Sequence, residues 1–375
     1  MQFKDIVGNK TVKEQLIRSA AENRISHAQL FLGPEGSGSL ALAVAYAQYI
    51  ACENKQADDS CGECSSCRKY TKLIHPDLHF SYPFIANKTN KVETCVDVIE
   101  EWRKAIAAEP YLTLNNWLGY LDVENKQPNI NIAECHSIIQ KLSLKPFESE
   151  FKVLIMWLPE FLGSEGNSLL KVIEEPSHKT LFLLVAENRE QILNTILSRT
   201  QLIKINKLSK NDIADYFIEK FNCDKSKAGK IAYLANGNMA TALDVFNEEE
   251  SEETGSFADW MRLCYKGDGP AMVKWVEGFS KIGREKQKNF LRYGLNIIRD
   301  CLLVNSNSNN LIHLEGAELD FVQKFSNLIN LNNGGSLIRT FEEAIYHIER
   351  NANPKILFLD VSLQINRYLK QQSAA

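Results

Sequence analysis

Gln29-Leu-Phe-Leu-Gly-Pro-Glu-Gly-Ser-Gly-Ser-Leu40 decides the fold. A short apolar run ends at Gly33, glycines return at Gly36 and Gly38, and an apolar helical stretch runs from Leu40 to Ala51. Strand, glycine-rich loop and helix in that order form the setting in which backbone amides cradle a phosphate. The template continues with lysine and then Ser or Thr, because an ammonium must reach the terminal phosphates and a hydroxyl must bind Mg²⁺. Ser39 and Leu40 stand at those two positions. The amides of Gly33, Gly36, Gly38 and Ser39 still suit an anion nest, but tight Mg·ATP binding and hydrolysis should both fail. Taken alone, the loop fits a glycine-rich turn with no part in nucleotide binding equally well.

Working outward, Leu78-His-Phe-Ser-Tyr82, Phe151-Lys-Val-Leu-Ile-Met-Trp157 and Thr180-Leu-Phe-Leu-Leu-Val185 read as strands. Between the last two, a helix is predicted around Asn167 to Glu174, closed by Pro176. Strands alternating with helices imply a mostly parallel sheet covered on both faces, an α/β domain over residues 1–206. A P-loop ATPase also ends a neighbouring buried strand in Asp-Glu, to hold Mg²⁺ and polarise the attacking water. Here Val153-Leu-Ile-Met156 runs into Trp157-Leu158-Pro159, and neither Trp157 nor Leu158 binds a metal. Two separate losses point to an ATPase scaffold that does not hydrolyse ATP.

Beyond Asn206 the strand signal stops. Lys210 to Phe221, Lys225 to Asn236 and Met239 to Asn247 read as three helices of a small domain, residues 207–247. The acidic run Glu248-Glu-Glu-Ser-Glu-Glu-Thr-Gly255 reads as a solvated linker. Helical spacing then recurs over Arg284 to Leu303, Leu319 to Ile329, Leu337 to Arg350 and Ile356 to Leu369, giving an all-α domain over 257–375.

Composition bounds the function. A length of 375 residues suits two or three domains, and 44% hydrophobic with 24% charged residues is ordinary for a folded soluble chain. Forty-three basic against 47 acidic residues give a net charge of −4, so no global basic field marks a stand-alone nucleic-acid binder. No apolar run approaches the roughly 18 residues that span a bilayer. The opening Met1-Gln-Phe-Lys-Asp5 has no signal-peptide character, so a cytosolic chain is expected.

Further stretches carry a resemblance. His27-Ala-Gln-Leu-Phe-Leu-Gly-Pro34, His75-Pro-Asp77, Asn167-Ser-Leu-Leu-Lys-Val-Ile-Glu-Glu-Pro176, Leu193-Asn-Thr-Ile-Leu-Ser-Arg-Thr-Gln201 and Asn351-Ala-Asn-Pro-Lys355 resemble motifs of the clamp-loader AAA+ subunits. The resemblance covers nearly the whole chain except about Lys88 to Lys126, an insertion without assignment. It implies an AAA+ domain with a zinc module, a three-helix lid, and a helical collar that holds a ring together. In that family the ring opens a sliding clamp and places it on primed DNA, with partners of the gamma/tau and delta types. ATP-hydrolysing members keep the lysine, the Asp-Glu box and a sensor arginine. This chain has neither of the first two and carries Ala240 at the position matching the third, in Gly237-Asn-Met-Ala-Thr-Ala-Leu243. That favours the family's non-hydrolysing member over its gamma/tau ATPase.

The resemblance also assigns a role to Arg199. In this family the Ser-Arg arginine reaches the neighbour's ATP, and an arginine finger contributes on the order of 10³–10⁵ in rate. Ser198 would support the turn, and Thr200 replaces the usual Cys. For a lone Ser-Arg pair, a helix cap or solvated ion pair is the ordinary reading.

Nine cysteines, an odd number in a chain without an export signal, argue against a disulfide framework. Cys95, Cys135, Cys223, Cys264 and Cys301 are scattered and suit small buried apolar roles. Cys52-x8-Cys61-x2-Cys64-x2-Cys67 is a cluster with enough soft ligands to close a tetrahedral Zn²⁺ site. A redox pair or an iron–sulfur cluster uses the same ligands. The resemblance, and the lack of any electron-transfer context, favour structural zinc. Four thiolates leave no open position for catalysis, and His75 and His79 are expected to be structural. Arg68, Lys69 and Lys72 read as a solvated face, with phosphate contact the other use. An active ATPase with an unorthodox loop and a zinc-dependent DNA-binding protein are the rival readings.

Overall fold

The apolar runs around the glycine loop become parallel strands: β1 (Ala28–Leu32), β2 (Leu78–Ser81), β3 (Lys152–Trp157) and β4 (Thr180–Ala186). The computed structural model describes the chain except residues 88–90, 124–126, 178, 248–252, 309–311, 313, 315, 351 and 371–375. Every residue of β3 and β4 is buried, as strands covered on both faces require. A fifth strand, β5 (Gln201–Lys204), was not foreseen. Only Ile203 of it is buried, so it carries no apolar run. The order is β2-β3-β4-β1-β5, all parallel, with Ala28 opposite Phe182, Lys152 opposite Thr180 and Gln29 opposite Gln201.

Successive strand residues feed opposite faces. Phe31, Val153, Ile155 and Leu183 join one core, and Leu30, Leu154, Met156 and Leu184 join the other. The helices that cover the sheet are α1 (Lys10–Ala21), α2 (Ser39–Ala51), α3 (Ser65–Thr71), α4 (Ile99–Ala108), α5 (Leu114–Tyr120), α6 (Ile132–Ser143), α7 (Leu170–Glu174) and α8 (Asn194–Leu197). Helix α2 is apolar all round and buried from Ser39 to Ile50, which fixes the glycine loop against the core. The helix expected over Asn167–Glu174 is α-helical only in α7. A 3-10 stretch, Pro159–Leu169, precedes it, interrupted by Gly163 at φ 56°, ψ −148°.

The described part of the insertion, 91–123, contributes α4 and α5. Its indoles Trp102 and Trp117 are fully buried. Tyr82 stacks on Trp102 at 3.9 Å, Trp117 meets both rings edge-on at 5.1 Å, and Trp157 lies 5.3 Å from Trp102.

The remaining helices are α9 (Lys210–Phe221), α10 (Lys225–Ala235), α11 (Met239–Asn247), α12 (Glu253–Lys266), α13 (Gly269–Phe279), α14 (Arg284–Asn305), α15 (Gly316–Phe325), α16 (Leu331–Glu349) and α17 (Pro354–Lys370). The chain divides into two compact units, one of residues 1–224 with 235–243, the other of 225–234 with 244–375. Of the three helices grouped as 207–247, α9 and the start of α11 belong to the first unit and most of α10 to the second. The predicted linker Glu248–Gly255 needs correction. Helix α12 begins at Glu253, because Phe257, Trp260, Met261 and Cys264 recur at helical spacing and bury in the core of the second unit, a second, all-helical core apart from the sheet's; residues 248–252 lie outside the described residues, as does Asn351 of the last motif. Among the described residues no helix is long and apolar enough to cross a membrane.

Candidate functional site

The glycine loop leaves β1 and turns into α2, and it is held by the protein itself. The Gly33 amide donates to the Ala186 carbonyl at 3.1 Å and the Ser37 amide to the Pro34 carbonyl at 3.1 Å. From α1's entrance, Asn9 Nδ2 donates to the Ser37 carbonyl at 2.9 Å. Met239 at the start of α11 donates its amide to the Gly36 carbonyl at 3.0 Å, and Asn238 Nδ2 donates to Glu35 at 3.1 Å. Gly36 sits at φ +70°, and a Cβ there would fall 1.8 Å from Asn238 Oδ1. Only glycine serves at that point.

Ser39, at the lysine position, is buried and lies 2.9 Å from Ser37 Oγ. A short hydroxyl bonded inward brings no charge to a phosphate. Trp157, at the carboxylate position, is buried and apolar. Leu158 follows with φ +54° and donates its amide to the Val185 carbonyl at 2.8 Å. Ala240 lies buried in the first turn of α11 and offers only a methyl. Gly33, Gly36, Gly38 and Ser39 are thus brought together beside Trp157. The cavity they line measures about 20 Å³, room for roughly one water. Tyr111 and Leu112 of the insertion complete its wall. Sequence reasoning missed these two, since the only signal was their place in an unassigned insertion.

Arg199 stands elsewhere in the first unit, two residues past α8. Its side chain is 31% exposed and paired with Glu174 at the end of α7, Nε and Nη2 each 2.9 Å from Oε2. Nη1 donates to the Thr195 carbonyl at 2.9 Å and to Ser198 Oγ at 3.3 Å. Ser198 in turn donates to the Thr195 carbonyl at 3.1 Å. The guanidinium is therefore aimed along the surface by its own turn and one carboxylate.

The four clustered thiols converge. Cys52, Cys61, Cys64 and Cys67 place all Sγ atoms within 4.8 Å of one another, with Cys61 and Cys67 at 3.9 Å. A tetrahedral zinc with Zn–S of ~2.3 Å needs sulfurs about 3.8 Å apart, whereas a disulfide needs ~2.05 Å. The amides of Cys61, Cys64 and Cys67 donate to Cys52, Cys61 and Cys64 Sγ, each at 3.3 Å. Amides from Cys64 and Glu63 pull the Cys61 thiol down to about 6, while burial raises Cys52 and Cys67. The set fits zinc, which would need all four as thiolates.

The histidines near the cluster are engaged differently. His75 Nδ1 accepts the Asp77 amide at 3.1 Å and its ring packs 4.7 Å from Tyr70. Burial, then Lys141 and Lys152, lowers His79 to about 4, which leaves it neutral. Lys69 pairs with Glu148, while Arg68 and Lys72 are exposed.

The family model described as DNA polymerase III, delta subunit, matches residues 8–209. The DNA polymerase III delta prime subunit of Bacillus subtilis is 25% identical over 313 residues, 80% of this chain and 80% of that protein. The gamma subunit of Buchnera aphidicola is 25% identical over 249 residues, 65% of this chain and 57% of the relative's length. A gamma subunit-related protein of Thermotoga maritima aligns with 95% of this chain and 99% of its own at 15% identity, with a TM-score of 0.43.

Proposed function

The chain belongs to the DNA polymerase III delta-subunit family, as a clamp-loader protein of the delta prime type, and from that premise we propose that it completes a neighbour's ATP site while working none of its own. The observation that carries this reading is the pair of replacements at the glycine loop. Ser39 turns inward where an ammonium is needed, and Trp157 fills the place of a metal-binding carboxylate. Arg199 keeps a charged, surface-facing guanidinium, the one group needed to act on a phosphate held by another subunit. Preorganised positive charge at the transferring phosphoryl group is the main catalytic contribution such a residue makes. Ser198 holds its turn.

In this reading residues 1–206 form the AAA+ domain, the helices that follow it serve as the lid, and the helices from α12 onward form the collar through which the chain joins gamma/tau and delta subunits. The assembly, rather than this chain alone, opens the sliding clamp and engages primed DNA. Cys52, Cys61, Cys64 and Cys67 would hold a structural zinc that supplies folding energy to their loop.

The test uses the assembled loader. Arg199→Ala should leave assembly intact and reduce hydrolysis at the one site that receives it by ~10³-fold or more, read by single-turnover hydrolysis. The isolated wild-type chain should give no heat with Mg·ATP in calorimetry. Undiminished turnover in the Arg199→Ala assembly would remove the finger, and micromolar ATP binding by the isolated chain would remove the inactive-site half of the proposal.

A further inference from the structure

The reading above accounts for lost chemistry at the glycine loop; the insertion accounts for lost space. We infer that the described part of the insertion, 91–123, is a built-in stopper: Tyr111 occupies the mouth of the glycine loop in cis and keeps nucleotide out independently of the missing lysine. The inference rests on the inactive-site reading and extends it to a second, physical cause.

Two contacts and the burial of Tyr111 carry it. Gly38, at φ +85°, has Tyr111 Cε1 3.1 Å and Ile6 Cγ2 3.4 Å from where a Cβ would stand, so an edge of the phenol ring packs close against the loop backbone. The Val7 amide donates to the Tyr111 hydroxyl at 2.8 Å, which closes a bridge from the N-terminal segment across the loop. Tyr111 is only 6% exposed, and the cavity left under it is about 20 Å³, far below the several hundred Å³ that small-molecule sites offer.

The stopper has its own anchor. Trp102 and Trp117 of the insertion form one aromatic cluster with Tyr82 and with Trp157, the residue standing in for the metal-binding carboxylate. A carboxylate at 157 would be buried against indole with no cation, a costly arrangement. The same substitution that removes metal binding thus provides the apolar seat on which the insertion docks. Between α4 and α5, the loop carrying Pro110, Tyr111 and Leu112 is then fixed at both ends. Thr113 caps α5 by accepting the Asn116 amide at 3.2 Å, and Glu109 accepts from Asn116 and Tyr120.

The test separates chemistry from space in the full, zinc-loaded chain, with ADP as the calorimetric probe. Ser39→Lys with Leu40→Thr restores the missing groups; it should still bind no ADP. Adding Tyr111→Ala to that pair should produce ADP binding, with an affinity at least tenfold above the weakest that calorimetry detects. Equal ADP binding with Tyr111 in place would overturn the stopper while leaving the inactive-site reading intact, whereas binding by the unaltered chain would overturn both. Should none of the variants bind ADP, amide hydrogen exchange decides. Tyr111→Ala alone must speed exchange across residues 33–40, and unchanged exchange there overturns the proposal. Tyr111→Phe, which keeps the ring and loses only the bond to Val7, should speed exchange at residues 6–8 and leave 33–40 protected.

Discussion

Asp77 accepts the amides of Phe147, Glu148 and Ser149 at 2.6, 2.7 and 2.8 Å, and so clamps the loop that leads into β3. Burial alone would raise its carboxyl; the three amides, with His75 beside them, outweigh that and hold it below its ordinary value. Hydrogen bonds to a charged group contribute about 1.5–3 kcal/mol where they must replace water, so Asp77→Asn should cost about 2 kcal/mol in urea denaturation at neutral pH. A carboxyl held low in the folded chain gives its full contribution above the unfolded value near 3.9 and loses it as pH falls through the lowered one. The gap between wild type and Asp77→Asn should therefore be constant from pH 7 to 5 and close below about pH 4; a gap that widens on acidification would refute the clamp. His75-Pro-Asp77 was visible as a motif, but its work was not, because its partners lie some seventy positions later. The lack of an ammonium at Ser39, of a hydroxyl at Leu40 and of a carboxylate at Trp157 needs no partner to be seen, since residue identity alone states it. Glu174 as the partner of Arg199 was not legible, since that pair exists only once α7 and α8 meet.

At the scale of elements, β1 to β4 and α2 were readable because short apolar runs alternating with helical stretches fit a parallel sheet covered by helices. Strand β5 was missed because three of its four residues are exposed, and Asn167–Leu169 was misread because the 3-10 stretch that restarts after Gly163 runs on to Leu169. The cysteine loop was legible as a ligand set but not as a strap. Asp59, inside that loop, accepts the amides of Phe3 and Lys4, each at 3.0 Å, and Gln2 Nε2 donates to the Ser60 carbonyl at 2.5 Å. Phe3 in turn buries against Tyr49 of α2 at 5.9 Å. Metal that folds residues 52–67 would therefore also hold the N-terminal segment down. Cys64→Ser should abolish stoichiometric zinc by elemental analysis, lower the melting temperature by about 5–15 °C, and expose residues 1–8 to protease. Asp59→Ala should keep the zinc yet show the same N-terminal cleavage. Zinc loss without that cleavage would mean that the strap stands without the metal.

For the whole molecule, the division between an α/β part and a helical part was legible, because the strand signal ends near Asn206, but the allotment of α10 was not. That helix shows helical spacing either way; only its partners decide, and Tyr233 buries with the second core, its hydroxyl donating to Asp300. The helical core shares no residue with either core of the sheet: the sheet's two faces draw on positions up to Ile205, and the helical core draws on Tyr233 and positions from Phe257 onward. Hydrophobic burial stabilises only what it contacts, so each core should govern its own unfolding step. Trp260 is the sharpest probe. It is fully buried, stacks on Trp275 at 5.1 Å, lies 5.9 Å from Phe341 and donates Nε1–H to Ser362 Oγ at 2.9 Å. Trp260→Ala leaves a cavity and removes the indole donor to Ser362 Oγ, which keeps its own bond to the Phe358 carbonyl, a loss of about 3–5 kcal/mol. In scanning calorimetry one transition should fall by about 10–20 °C while the other stays in place. Chelation of the cysteine site should reverse the pattern, lowering the transition that Trp260→Ala leaves alone. If either change moves a single merged transition, the cores are coupled. The proposed role of Arg199 would then depend on the stability of the helical core as well as on its own turn, and Arg199→Ala would have to be compared with Trp260→Ala before any loss of hydrolysis is assigned to the proposed finger.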